Sequence, residues 1–254
     1  KIDTSVIVIP ASVDGNIHHK YIRTSIGFDS ASKVYSQLIG NMLTDSASAV
    51  KYWYFIRLMG KEPSHLALEA ALKTCPNMVI VSEECNDRKE TLGDIVNRIC
   101  DTICERSAQD KNYGCVLIPE GLLFHLSAYN QLIHEINTIF ADAQKRIADG
   151  QPVIFSDEES DPDAVAELSQ KLLADSSEIG SLLTPWSHSL FNSLPDFLKQ
   201  QLLIERQLSG SIKLSQIETE KLVAYLVDEE LNKRKRQGKY SGTFAPVTHF
   251  FGYQ

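Results

Sequence analysis

Near its first residues the sequence reads Ser5-Val6-Ile7-Val8-Ile9-Pro10-Ala11-Ser12-Val13-Asp14-Gly15-Asn16. The apolar run at 5–9 predicts a buried β-strand, and the proline that follows marks its end. Because open α/β sheets bind ligands at the carboxyl ends of their strands, the polar groups that come next predict a site. Asp14 could then act as a general base towards a substrate hydroxyl. The alternative is an ordinary β-turn, since Asp-Gly and Asn are common turn residues.

Strand and helix patterns alternate over the first half of the chain. Apolar runs predict further strands at 52–58, 78–81 and 114–118, and amphipathic spacing predicts helices at 30–49, 63–75 and 90–108. This alternation is typical of an α/β fold, in which a mainly parallel sheet is flanked by helices. Two of the strands deliver polar or glycine-bearing turns to the same edge of that sheet: Met59-Gly60-Lys61 and Pro119-Glu120-Gly121.

Helical spacing places Val34, Leu38, Met42 and Leu43 on one apolar face of the first helix. The second helix is predicted to run through Leu66, Leu68, Ala71 and Leu72.

The pattern becomes all-helical beyond residue 122. We therefore predict an α/β part at 1–122, an all-helical insertion at 123–238 and a return to the sheet at 239–254. Within the insertion we expect helices at 126–148, at 161–174 after an acidic loop at 156–163, and at 186–206 with an interruption at Pro195.

The last helix of the insertion has a predicted start and a predicted end. Ser215-Gln216-Ile217-Glu218 predicts a capping box, after which Leu222, Tyr225 and Leu226 would face inward. The helix ends in the basic run Lys233-Arg234-Lys235-Arg236. That run could form a phosphate or nucleic-acid patch. We favour a solvated helix end, whose cations complement the helix dipole.

Composition and charge exclude several classes of protein. Hydrophobic residues make up 43% and charged residues 23% of the 254 residues, as in globular proteins. A net charge of −8 argues against a nonspecific nucleic-acid binder. No apolar run approaches the roughly 20 residues that cross a bilayer. The odd number and wide spacing of the five cysteines fit reduced thiols in a cytoplasmic protein. Cys100 and Cys104 could form half a metal site, but packing in the core is the simpler interpretation.

Six motifs occur along the chain in this order: Pro10-Ala11-Ser12-Val13-Asp14-Gly15-Asn16, Gly27-Phe28-Asp29-Ser30-Ala31, Lys51-Tyr52-Trp53-Tyr54-Phe55-Ile56-Arg57-Leu58-Met59-Gly60-Lys61, Ile118-Pro119-Glu120-Gly121-Leu122, Ile217-Glu218-Thr219-Glu220-Lys221 and His249-Phe250-Phe251-Gly252-Tyr253. Together they resemble one known family, the long form of pyrophosphate-dependent phosphofructokinase. The resemblance runs nearly end to end but covers only the middle of that family's chain, so we expect a longer polypeptide.

The resemblance implies a reaction and a set of site residues. The reaction is phosphorylation of fructose 6-phosphate at its 1-position by pyrophosphate or ATP in glycolysis, with Mg²⁺ held by residues outside this segment. Asp14 would be the catalytic base and Ser12 would bind a hydroxyl. Lys51 and Tyr52 would reach across a subunit interface into a neighbouring site, which implies an oligomer or a second phosphofructokinase half. The residues that would bind the sugar phosphate are Met59, Gly60, Lys61, Glu120 and Tyr253.

Four positions depart from the family pattern. Ala11, Ser12 and Asn16 stand where active pyrophosphate-using members have Lys, Thr and Asp. Losing the Lys removes a cation that would stabilise the transferred phosphoryl group. Lys61 replaces an Arg, which trades a two-pronged phosphate contact for a point charge. These substitutions resemble the regulatory half that some members carry.

Two other classes of protein compete with a sugar kinase. A purely structural or regulatory domain would bind no substrate and would serve assembly through Lys51, Tyr52 and the helical insertion. A Rossmann dehydrogenase is disfavoured, because no Gly-x-Gly-x-x-Gly follows a predicted strand.

Overall fold

The computed structural model describes residues 5–17, 19–61, 63–148, 182–204, 212 and 214–252. Its elements in chain order are α1 (Phe28–Ala49), β1 (Trp53–Leu58), α2 (His65–Thr74), β2 (Met78–Val79), α3 (Ser82–Asp87), α4 (Leu92–Ser107), β3 (Gly114–Pro119), α5 (Leu122–His125), α6 (Ser127–Ala148), α7 (Pro185–Ser193), α8 (Asp196–Ile204), a 3₁₀ turn (Leu214–Gln216), α9 (Thr219–Arg236) and β4 (Pro246–Phe251).

Four parallel strands form the sheet, in the order β2-β3-β1-β4. Every residue of β1 and β3 is buried, as expected for strands covered on both faces. The register places Leu58 of β1 beside Pro119 of β3 and Phe251 of β4. The three strands therefore end level with one another, and their exit turns share one edge. The predicted α/β fold with a parallel sheet flanked by helices is confirmed.

The two faces of the sheet support two separate hydrophobic cores. Trp53 and Phe55 contact the core that α4, α6 and α9 complete. Tyr54 and Ile56 point the other way, into the core beneath α1 and α2. Strand alternation explains the division, since successive side chains leave opposite faces. The named elements between Leu122 and Arg236 are helices, and they share the first core with β1 and β3. The domain boundaries at 122 and 238 stay a prediction.

The predicted first strand is wrong as a member of this sheet. Residues 5–10 have no regular secondary structure, and Val6 and Ile9 are 82% and 77% exposed. A buried strand needs a neighbour to satisfy its backbone groups, and no strand of the described ranges pairs with this run. An apolar composition indicates a tendency to be buried, but it does not identify the partner.

The helix faces are only partly as predicted. In α1 the buried apolar positions are Tyr35 and Ile39, whereas Val34 and Leu38 are exposed. In α2 the buried face combines Leu66 with small alanines that allow close packing, and Leu72 is 70% exposed. In both helices some apolar side chains, among them Val34, Leu38 and Leu72, lie beside the buried face rather than on it.

The segment before α9 also differs from the prediction. The predicted capping-box residues enter a 3₁₀ turn, and α9 begins at Thr219 after Glu218, without a side-chain cap. Leu222 is buried as expected, but Tyr225 is largely exposed. The buried face of this helix continues through Val223 and Val227, so it lies one residue away from the predicted one.

The basic run closes α9 as predicted, but one of its residues is not solvated. Arg234 donates to Asp101 at 2.6 Å and to Glu230 at 3.2 Å, and so fastens α9 to α4. α3 was not predicted. The predicted loop at 156–163 and helix at 161–174 lie outside the described residues.

The remaining helices and cysteines bear on two of the excluded classes. Among the described helices, none combines the length and apolar character needed to cross a bilayer. All five cysteines are free. Cys100 is buried, and burial raises the pKa of its thiol to about 12. Cys100 and the partly buried Cys104 pack in the core, as predicted, whereas Cys75 is exposed.

Candidate functional site

The exit turns of β1 and β3 pack closely against each other. The Glu120 carboxylate accepts a hydrogen bond from the Gly60 backbone N–H at 3.0 Å through Oε2. A Cβ placed on Gly121 would lie 2.4 Å from the carbonyl oxygen of Lys61. Gly60 has φ +141°, where a side chain is strained. Both glycines are therefore required for this close approach, which places Lys61 and Glu120 side by side.

Glu120 is a buried carboxyl with an unused acceptor. Its side chain is almost fully buried, and Oε1 has no hydrogen-bond partner among the described residues. Burial raises the pKa of Glu120, the nearby Asp14 charge raises it further, and Gly60, Arg57 and Lys61 oppose that rise. A buried acceptor without a partner is costly, so Oε1 is suited to receive a ligand hydroxyl.

The loop that carries Asp14 meets the same edge. The Asp14 backbone N–H donates to Ser12 Oγ at 3.2 Å, which stabilises the turn. Gly15 has φ +73°, and a Cβ there would lie 3.1 Å from the Phe28 ring and 3.3 Å from His65 Nδ1. The loop is thus held between the starts of α1 and α2. The Oδ1 atom of Asp14 is buried without a hydrogen-bond partner in the part of the chain that the structure describes.

A largely apolar cavity of about 560 Å³ adjoins this edge, between α1 and the end of β4. Met59 connects it to the exit turn of β1 and Val13 to the loop that carries Asp14, and Tyr35 and Phe251 form its wall. The Tyr35 hydroxyl donates to the Gly252 carbonyl at 3.2 Å. Burial, together with the Glu120 and Asp14 charges, raises the pKa of Tyr35 to about 12. The phenol therefore remains a donor, which ties α1 to the end of β4.

The structure gathers some of the predicted site residues and separates others. The exit turns and the Asp14 loop bring together Ser12, Asp14, Met59, Gly60, Lys61 and Glu120. Lys51 and Tyr52 lie at the opposite end of β1, where the Lys51 ammonium stands 4.8 Å from the centre of the Tyr52 ring. Tyr253 lies outside the described residues; in the sequence it comes two positions after Phe251, the last residue of β4.

Sequence reasoning missed a buried ion pair beneath the site. Arg57 Nε lies 2.6 Å from Glu220 Oε2, and both side chains are nearly inaccessible to solvent. The prediction left Arg57 without a role. A signal was present, because a strand of otherwise apolar and aromatic residues carries one arginine. Such a residue needs a buried partner, although the sequence does not show which acid supplies it.

The described residues do not provide a set of metal ligands. No group of three or more His, Cys, Asp or Glu side chains that could hold an ion occurs among them. Mg²⁺ requires near-octahedral oxygen coordination. Asp14 Oδ1 could contribute one oxygen, which does not amount to a site, and we derive no catalytic step through a metal.

The fold defines a class of protein: an α/β domain with a parallel sheet flanked by helices, a class that typically binds its ligands at the carboxyl edge of the sheet. A family model described as "Phosphofructokinase" matches residues 1–154. The chain belongs to the phosphofructokinase family.

Similar curated proteins support this membership. The whole chain is 42% identical to pyrophosphate–fructose 6-phosphate 1-phosphotransferase subunit alpha 1 of Arabidopsis thaliana, and it covers 37% of that protein. It is 40% identical to the pyrophosphate–fructose 6-phosphate 1-phosphotransferase of Treponema pallidum, of which it covers 41%. Over 99% of the chain it is 38% identical to subunit beta 1 of the Arabidopsis thaliana protein, of which it covers 39%. The chain thus spans about two fifths of the length of these relatives.

Proposed function

We propose that this chain is part of a pyrophosphate-dependent phosphofructokinase that phosphorylates fructose 6-phosphate at its 1-position. In this proposal the segment supplies the sugar-phosphate side of the site. The observation that carries the proposal is the convergence of Asp14, Lys61 and Glu120 at one edge of the sheet, with two buried carboxylate oxygens that lack a partner among the described residues. The names of the similar proteins support the choice of substrate and donor.

Each residue has a distinct task in the proposed reaction. Asp14 accepts the proton of the 1-hydroxyl as that oxygen forms a bond to phosphorus, while the bond between phosphorus and the leaving phosphate breaks. The Lys61 ammonium, which is exposed at the rim, attracts the 6-phosphate of the sugar. Glu120 Oε1 accepts a hydrogen bond from a ring hydroxyl. In keeping with the resemblance, Ser12 would bind a hydroxyl, and Met59 and Gly60 would contact the sugar phosphate. Tyr253 would contact it too, but lies outside the described residues.

The complete protein would supply what this segment lacks. Mg²⁺, held by residues outside the segment, would neutralise charge on the phosphoryl donor. The names of the similar proteins include alpha and beta subunits, which favours an assembly. Lys51 and Tyr52, far from their own site, would then serve a neighbouring one. We place the protein in the cytoplasm, in keeping with its five free cysteines.

A second function is a regulatory half that binds a sugar phosphate or serves assembly without catalysis. The observation that favours it is Ala11, which gives the Asp14 loop no cation for the transferred phosphoryl group. The partner half would then carry out the reaction.

Substitution of Asp14 in the complete protein distinguishes the two functions. If this half is catalytic, Asp14→Asn should lower kcat by about 100-fold or more, which is the usual contribution of a general base. Calorimetric titration with fructose 6-phosphate should still give saturable heat. Asp87→Asn, an exposed aspartate at the end of α3, is the matched control and should change neither quantity.

Two outcomes would count against the catalytic function. Wild-type turnover by Asp14→Asn would place the active site elsewhere and favour the regulatory half. Absence of heat with both fructose 6-phosphate and fructose 2,6-bisphosphate would show that a sugar site is lacking and would leave only the assembly role.

A further inference from the structure

The buried pair of Arg57 and Glu220 joins three elements directly beneath the site. The Arg57 guanidinium lies 2.6 Å from Glu220 in the first turn of α9, and it donates to the Ser215 carbonyl at 3.2 Å. On its other side it stands 3.6 Å from the centre of the Phe250 ring in β4. One side chain of the central strand therefore contacts the neighbouring strand and the helical segment at the same time.

Its location relates the pair to the ligand edge. Arg57 lies opposite Ile118 of β3 and Phe250 of β4 in the sheet register. Two positions further along each chain segment lie Met59, Glu120 and Gly252, which are the first residues after the ends of the three strands. A shift of the Arg57 side chain would therefore be transmitted directly to the site through all three strand ends.

The charges around Glu120 make the pair more than a packing contact. Burial raises the pKa of Glu120, the charges of Arg57 and Lys61 lower it, and the charge of Asp14 raises it further. The Glu120 charge in turn raises the pKa of Tyr35. Burial lowers the pKa of Arg57, and the charges of Glu220, Glu120 and Glu218 raise it. Arg57 thus stands between two buried carboxyl groups, one on α9 and one at the site. The fraction of its charge that acts on Glu120 depends on how completely Glu220 neutralises it.

We propose that Arg57 and Glu220 are positioning residues through which α9 sets the affinity of the Glu120 edge for the sugar phosphate. The proposal rests on the proposed function. Neither residue contacts the ligand. Glu220 fixes the guanidinium, the guanidinium orients the end of β4 against Phe250, and its positive charge favours the ionised Glu120 that accepts the ring hydroxyl.

A purely structural pair would behave differently. Buried ion pairs can often be replaced by apolar residues of similar volume without loss of stability. If the pair only holds α9 to the sheet, the double variant Arg57→Met/Glu220→Leu should restore both folding and sugar affinity. If the pair positions the site, that variant should restore folding alone.

The test measures fructose 6-phosphate binding to the complete protein by calorimetry between pH 5 and pH 8, with KM and kcat where the protein turns over. In Glu220→Gln the charge of Arg57 acts more fully on Glu120, so the pH midpoint of binding should fall by about half a unit or more. In Arg57→Met the cation is lost, so the midpoint should rise by a similar amount. Both variants should weaken binding about tenfold or more at neutral pH, because a small misplacement of binding groups is costly.

Controls separate this inference from the function on which it rests. Glu229→Gln changes an exposed glutamate of the same helix and should leave affinity and midpoint unchanged. If the wild-type protein binds no sugar phosphate, the proposed function fails. If the wild type binds and folded Glu220→Gln keeps its affinity and its midpoint, the positioning role is wrong. Should Arg57→Met fail to fold, a lowered midpoint in Glu220→Gln still supports the proposal.

Discussion

The polar side chains at the two ends of the central strand β1 differ in burial and in hydrogen bonding. At its start, Lys51 lies on the surface against Tyr52, and the Tyr54 hydroxyl donates to Asp45. At its end, Arg57 and the adjacent Glu120 are buried, and an oxygen of Glu120 lacks a partner among the described residues. The charged and hydroxyl groups at the first end contact one another or Asp45, although the indole N–H of Trp53 is buried there without a hydrogen-bond partner among the described residues. At the second end the fold leaves buried polar atoms unused, which is costly and therefore typical of sites that receive a ligand.

The largest predicted effect breaks the buried pair at the second end. Arg57→Met leaves Glu220 buried without its cation, and we expect it to lower the free energy of unfolding by about 3–5 kcal/mol. Arg57→Met/Glu220→Leu should recover most of this loss, because no charge remains buried there. Urea unfolding of the wild type and both variants measures the difference. A single variant as stable as the wild type would show that Glu220 finds another partner.

The next effect concerns the contact between the two exit turns. Gly121→Ala places a Cβ 2.4 Å from the Lys61 carbonyl, so we expect a loss of about 1–3 kcal/mol and a weaker site. Gly40→Ala is the matched control, since a Cβ at that position in α1 meets no atom within 4 Å. It should stabilise the protein by about 0.5–1 kcal/mol through helix propensity. Equal effects of the two substitutions in thermal unfolding would contradict the close approach.

Glu120, at the second end, should make the stability of the folded protein depend on pH. Burial raises its pKa, so the folded carboxyl holds its proton more tightly than the unfolded one. Relative to Glu120→Gln, the wild type should therefore lose stability as the pH rises from the ordinary glutamate pKa through the raised one, by at most about 1.4 kcal/mol per pH unit. Thermal unfolding of both proteins from pH 4 to pH 8 measures the slope.

An exposed glutamate provides the control for this measurement. Glu105→Gln, on the surface of α4, should run parallel to the wild type at every pH. A wild type that instead gained stability over Glu120→Gln with rising pH would mean that the partners of Glu120 outweigh its burial.

The smallest predicted effect lies at the first end of β1. Lys51→Ala removes an exposed cation from an aromatic ring, so the free energy of unfolding should change by no more than about 0.5–1 kcal/mol. If Lys51 serves a neighbouring site, fructose 6-phosphate affinity should fall in the assembled protein despite unchanged stability. Unchanged affinity in the assembly would remove Lys51 from the site and sharpen the contrast between the two ends.

Local patterns were sufficient for much of the fold. The strands at 53–58 and 114–119 are almost entirely apolar and aromatic, with Arg57 as the charged exception, and short runs of this kind are typical of parallel strands that are buried on both faces. The common edge for Lys61 and Glu120 followed from the same reasoning. Local patterns were not sufficient for the exposed run at 6–9. Whether an apolar run becomes a strand depends on a neighbouring strand, and a neighbour that is distant in the sequence leaves no local signal.

The sequence by itself determined much of the alternation of strands and helices, the family motifs and the position of Lys61 and Glu120 at strand exits. Periodicity and turn chemistry act between near neighbours, so these features can be read locally. Only the tertiary structure decided that Arg57 pairs with Glu220, that Gly121 packs on Lys61, and that Tyr35 rather than Val34 faces the core. These contacts join residues far apart in the chain, and the requirement to satisfy each buried charge and fill each gap is met only when the whole sheet and its helices assemble.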